Sequence, residues 1–129
     1  MTRQSWPKAQ PRQRRPAQGF TAAVKQIIRR RSCGMCELDL CGPADHYHHR
    51  APRGSGGSRL EWINSAANAL HLASACHDLV ERNRAEALEN GWLVSRLAGE
   101  TAAGKPVLYR GTRVLLSDDG SIRPAGGAA

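Results

Sequence analysis

The stretch Asp45-His-Tyr-His-His-Arg50 places three of the chain's five histidines within four positions. Imidazole is both a metal ligand and a base that titrates near neutral pH. Such a cluster suits a site that holds an ion, moves a proton, or does both. Cysteine is the other chemically loaded residue type here. Cys33 and Cys36 form a C-x2-C knuckle, Cys41 follows, and Cys76 lies far along the chain, directly before His77. A knuckle presents two thiolates from one tight turn to a tetrahedral zinc. A lone knuckle also occurs among unrelated thiols, so the zinc reading leans on its surroundings.

Local patterns place these residues on elements. "GFTAAVKQIIRRR" predicts a helix, with Thr21 as N-cap, an apolar stripe of Val24, Ile27 and Ile28, and arginines at the C-terminal end of the dipole. "ADHYHHR" reads as a strand, "APRGSGGSR" as a glycine-rich loop, and the alternating "NALHLA" as a second strand. A helix is expected after Cys76, with a further turn starting at Asn83, where Glu86 completes a capping box, and ending before Gly91. "PVLYRGTRVLL" predicts a hairpin turning at Arg110-Gly111, and "DDGSIRPAGGAA" reads as tail. The expected organisation is a basic, disordered arm over 1–18, one domain over 19–117 and a disordered tail over 118–129.

Composition narrows the function. With 129 residues, one Phe, two Tyr and three Trp, the chain is a single domain with a small core, of the size that often needs a metal staple. The net charge of +8 points to a polyanionic partner, most simply nucleic acid. Nine of the 19 basic residues precede Cys33, and the first acidic residue is Glu37. An arm of this kind gains affinity from phosphates by counterion release, without reading sequence. The mean hydropathy is −0.51, with neither a signal-like apolar run nor a membrane-length segment in view. The expected location is a cytoplasm, where four cysteines suggest metal more than disulfides.

In chain order the features are knuckle, His-His strand, glycine-rich loop, Asn68, Cys76-His77 and helix. This combination, "HHRAPRGSGG…NALHLASACH", resembles the HNH endonuclease family, in particular its small phage-type members with a cysteine zinc knuckle. The similarity runs from about Gly19 to Leu116. It implies an α+β fold: a ββα-metal (His-Me finger) core with a zinc knuckle, a preceding helix and a C-terminal hairpin. It also implies hydrolysis of DNA phosphodiester bonds. Carried onto this sequence, His48 and His77 are ligands of one catalytic divalent ion (Mg2+, Mn2+, Ni2+ or Zn2+). His49 is the general base, and Asn68 ties the hairpin and steadies that base. Glu81, four residues beyond His77 and on the same helical face, is either a third ligand or a partner orienting His77; the ligand role is favoured.

The chemistry of the residues agrees with that assignment. Phosphodiester cleavage needs an activated water and relief of charge on the phosphate and leaving oxygen. Neutral imidazole supplies the first, and an ion held by His48 and His77 supplies the second. Adjacent strand residues face opposite sides, which suits one imidazole on the ion and the other toward water. Arg50 and Arg53 are the expected phosphate grips, with Gly54, Gly56 and Gly57 letting the backbone approach DNA. His46 reads as structural or phosphate-facing, and His71, between Leu70 and Leu72, as outward-facing. Trp62 and Trp92 read as core packing, and Tyr47 stays open.

One departure concerns the structural Zn2+. The family's second knuckle would place a cysteine at position 73, where this chain has Ala73. The expected ligand set is therefore Cys33, Cys36, Cys41 and Cys76, with Cys41 replacing the missing thiolate; the alternative is a weak or absent zinc with Cys41 only packing. The implied partners are double-stranded DNA and, through the phage resemblance, the terminase and portal proteins of genome packaging in a host cytoplasm. The rival reading is a zinc-stapled DNA-binding module without catalysis, in which the histidines are relics.

Overall fold

The structure, a computed structural model, describes residues 19–52, 60–95 and 99–126. Helix α1 (Ala22–Ser32) is followed by strand β1 (His46–His49), a 3-10 turn (Ala66–Asn68) and strand β2 (Ala69–Leu72). Helices α2 (Ser74–Arg82) and α3 (Arg84–Glu89) come next, then strands β3 (Val107–Tyr109), β4 (Thr112–Leu116) and β5 (Ile122–Pro124). The class is mixed α+β. β1 and β2 pair antiparallel in one sheet, and β3, β4 and β5 form a second antiparallel sheet in that order. The arm over 1–18, Arg53, Gly54, Gly56 and Gly57 lie outside the described residues.

α1 starts where the sequence places it. Thr21 Oγ1 accepts a hydrogen bond from Val24 N at 3.2 Å and satisfies one of the first-turn donors. The helix stops at Cys33, which caps it in the left-handed region with φ of 57°. Arg110 and Gly111 both take positive φ, 49° and 88°, as a two-residue hairpin turn with the strand twist requires. The main core gathers Leu70, Leu72, Val80, Trp92, Val107 and Leu116 between the first sheet, the helices and the second sheet. Burial of each such side chain contributes roughly 1.5–3 kcal/mol.

Several expectations need correction. α2 begins at Ser74 rather than after Cys76, so Cys76 and His77 belong to its first turn. The capping box at Asn83 does not form; its amide Nδ2 donates back to the Leu79 carbonyl at 2.8 Å. Asn68 closes the 3-10 turn and so precedes β2. The segment assigned to tail instead supplies β5, with Ile122 opposite Leu116. Its turn is built by Asp119 Oδ1, which accepts from Ser121 N at 2.9 Å, and by Gly120 at φ 90°. His71 faces inward: it is buried, its Nδ1 lies 2.8 Å from Ser32 Oγ, and it stacks on Tyr47. α1 covers the sheet face that would otherwise meet solvent, so all four residues of β2 are buried.

Two arginines are interior groups. Arg31 makes a bidentate pair with Glu37, at 2.7 and 2.8 Å, and donates to the carbonyls of Ala66 and Ala69. Glu37 also accepts from His71 N at 2.7 Å. Arg50, the expected phosphate grip, has no exposed surface. Its guanidinium donates to the carbonyls of Gly91, Ala67, Ala102 and Lys105 at 2.8–2.9 Å. A planar fork of five donors fits four convergent carbonyls, whereas a lysine would leave several unmet.

Removing one member of a buried ion pair strands the other charge and costs about 3–5 kcal/mol. Glu37→Ala is therefore expected to lower the unfolding free energy measured by urea titration by that amount. Arg50→Ala should destabilise comparably and prevent isolation of folded protein. A folded, fully stable Arg50→Ala variant would overturn the structural role.

Candidate functional site

The β1–β2 register places His46 opposite Leu72, Tyr47 opposite His71, His48 opposite Leu70 and His49 opposite Ala69. Alternation along β1 turns His46 and His48 toward α2, and Tyr47 and His49 toward the other face. On α2, His77 and Glu81 are four residues apart and share one face of the helix. The result is a compact donor set. Glu81 Oε1 lies 3.9 Å from His48 Nδ1 and 3.7 Å from His77 Nε2, and one donor atom from each residue falls within 4.8 Å of the others. This His/Glu group can hold a metal ion.

His48 is shaped for that task. Its ring is buried, and Nε2 donates to the Trp92 carbonyl at 2.9 Å, which leaves the lone pair on Nδ1, facing Glu81. Burial pushes its pKa down to about 4; the Trp92 carbonyl opposes this, and His77, His49 and Arg50 add to it. His48 is thus neutral, as a ligand must be, across the physiological range. His46 has a role the sequence reading missed. It stacks on His77 at 4.9 Å, donates from Nε2 to Ser74 Oγ, and Ser74 in turn donates to Asp45. Strand alternation alone carried the signal, because His46 shares the face of His48.

His49 lies on the opposite face of β1. Phe20 stacks on its ring at 4.0 Å, and Nε2 donates to Asn64 Oδ1 at 2.8 Å, so the basic lone pair belongs to Nδ1. Asn68 is fully buried just beyond. Its Oδ1 accepts from Ala51 N, and its Nδ2 donates to the carbonyls of Ala51 and Ile63. It joins the chain on the two sides of the glycine-rich segment and, through its own carbonyl, accepts from Arg50 N at 2.7 Å. Asn68 positions the end of β1, where His49 sits.

The cysteines gather elsewhere. Cys36, Cys41 and Cys76 converge with Asp39, all donor atoms within 4.8 Å of one another, and this Cys3Asp group can also hold a metal ion. Cys33 is outside it. As the left-handed cap of α1 it points away from the knuckle, its exposed Sγ 3.7 Å from the Arg30 carbonyl. Asp39 takes the place expected of Cys33, and the sequence carried a trace of this, since Cys36 and Asp39 repeat the x2 spacing three residues on.

The chain matches no protein-family model, no curated protein and no solved structure. The case for function therefore rests on these two donor sets and on the residues around them. No helix among the described residues is long and apolar enough to cross a membrane.

The lowered pKa of His48 has a consequence for stability. The unfolded chain protonates this imidazole below about pH 6.5, whereas the folded chain resists until about pH 4. Its contribution is complete above pH 6.5 and is lost as pH falls toward 4, about 3 kcal/mol in all. Urea midpoints of metal-free protein should fall more between pH 7 and 4.5 in the wild type than in His48→Gln. Parallel pH profiles would contradict this.

Proposed function

We propose that this protein is a metal-dependent endonuclease of the HNH type, hydrolysing phosphodiester bonds of double-stranded DNA. The observation that carries the reading is the convergence of His48 from β1 with His77 and Glu81 from α2, with His49 the next residue along β1. On this reading β1, β2 and α2 are the two strands and the helix of a ββα-metal core.

A divalent ion on His48 Nδ1, His77 Nε2 and Glu81 would supply Lewis-acid relief of charge on the phosphate and the leaving oxygen. The chain's own residues do the rest. Trp92 fixes the His48 tautomer, so that the ligand lone pair is always presented. His46 braces the His77 ring from the other side. His49, held by Asn64 and Phe20, takes the proton from the attacking water. Asn68 keeps the end of β1 in place for that transfer.

Arg50 is interior, so DNA must be gripped by other cations. α1 supplies them: Arg29 and Arg30 are exposed, Lys25 is half-buried over Tyr47, and the helix carries no acidic residue. Phe20, directly before α1, touches His49, so this basic helix adjoins the base. A phage origin and a link to terminase and portal proteins follow from the resemblance alone.

Nicking of supercoiled plasmid across Mg2+, Mn2+, Ni2+ and Zn2+, with a chelator control, tests the activity. His49→Ala should abolish nicking while leaving ion binding at the histidine group intact; His48→Ala should weaken both. Equal nicking by wild type and His49→Ala would sink the nuclease reading, and DNA binding without nicking in any metal would favour the non-catalytic module. Replacing Arg29 and Arg30 with Ala should weaken DNA binding and reduce the salt slope by about two.

A further inference from the structure

We propose that Cys36, Asp39, Cys41 and Cys76 form a mixed-ligand site for one tetrahedral Zn2+, with Asp39 as the fourth ligand and Cys33 as a bystander. This inference does not depend on the nuclease reading.

The knuckle loop is folded to aim these residues inward. It closes through a bridge between Met35 and Pro43, with Cys36 N donating to Gly42 O at 2.9 Å and Ala44 N to Gly34 O at 2.9 Å. Inside it, Leu40 takes φ of 59°, a left-handed conformation that a leucine adopts only when its surroundings impose it. Leu40 is more than half exposed, so apolar burial does not account for that backbone. The geometry it creates swings Asp39 and Cys41 back over Cys36, with Asp39 Oδ1 accepting from Cys41 N at 3.1 Å. Cys76 approaches from the first turn of α2.

Distances and chemistry suit zinc. Tetrahedral Zn–S bonds of about 2.3 Å put two thiolates about 3.8 Å apart, and a thiolate and a carboxylate oxygen about 3.5 Å apart. Cys76 Sγ lies 3.6 Å from Asp39 Oδ1, close to the zinc-bound separation, and 2.9 Å from Cys41 Sγ, midway between a disulfide bond and two thiolates on one zinc, with both cysteines free. Three soft sulfurs and one carboxylate select zinc over magnesium or calcium. A thiol must lose its proton to ligate zinc. Binding then releases protons, and zinc affinity falls as pH is lowered. The site also ties the knuckle loop to the turn of α2 that carries His77.

Titration of the metal-free full-length chain with Co2+ tests the assignment. The histidine group has no sulfur, so thiolate-to-cobalt charge-transfer absorption reports the cysteine site alone. Wild type should bind one equivalent with tetrahedral d–d bands, and zinc should displace it. Cys33→Ser should match wild type. Asp39→Ala should weaken binding about tenfold or more, and Asp39→Cys should restore it with stronger charge transfer. Loss of the signal in Cys33→Ser with full retention in Asp39→Ala would replace Asp39 by Cys33 and overturn the proposal. So would the absence of any charge-transfer band in wild type. Plasmid nicking is a separate readout, so failure of the zinc assignment and failure of the nuclease reading are distinguishable.

Discussion

The buried pair between Arg31 and Glu37 joins by polar bonds the same parts of the chain that Ile28 and Leu38 join by apolar contact. Arg31 ends α1, Glu37 lies in the knuckle loop, and both groups reach the start of β2, through the carbonyls of Ala66 and Ala69 and the amide of His71. Two charges taken out of water this completely are tolerable only when every donor and acceptor is met. Meeting that demand ties the last turn of α1 and the knuckle loop to the start of β2.

Arg50 and Asn68 repeat the device on the other side of the hairpin. Arg50 gathers carbonyls from Ala67, Gly91, Ala102 and Lys105, and Asn68 bonds Ala51 and Ile63. Polar side chains here replace the apolar bulk that larger domains use to hold loops. The residue before Arg50 is His49, so the interior network ends at the base that the proposed chemistry needs. On that proposal, rigidity at the site of proton transfer would be the functional return on burying these groups.

α2 links the two donor sets. Cys76 and His77 are neighbours on its first turn, separated by roughly 100° around the helix, so one faces the knuckle and the other faces β1. An ion on either side would restrain the same turn. The sites are chemically unlike: sulfur-rich against imidazole and carboxylate. On the proposed reading this would separate an ion that staples the fold from one exchangeable enough for chemistry.

Features governed by nearest neighbours were legible in the sequence. The Thr21 cap, the Arg110-Gly111 turn, the two strands β1 and β2 and the shared face of His77 and Glu81 follow from local backbone preferences and from the periods of strand and helix, whereas the pairing of β1 with β2 was implied by the family resemblance. The β5 strand was signalled by its Asp-Gly turn, yet a three-residue strand exists only because β4 offers it an edge. The identity of the buried groups was not legible. Arg50 looks like a phosphate grip, His71 looks outward-facing, and Cys33 looks like half of a zinc knuckle, because residue type and spacing state what a side chain can do. What covers it is decided by elements distant in sequence. Four carbonyls from three separate segments enclose Arg50, α1 closes over His71, and the left-handed cap turns Cys33 away while Asp39 turns in. The sequence alone determined which chemistries were present; tertiary packing decided which atoms meet, because burial and ligand convergence are properties of the folded whole.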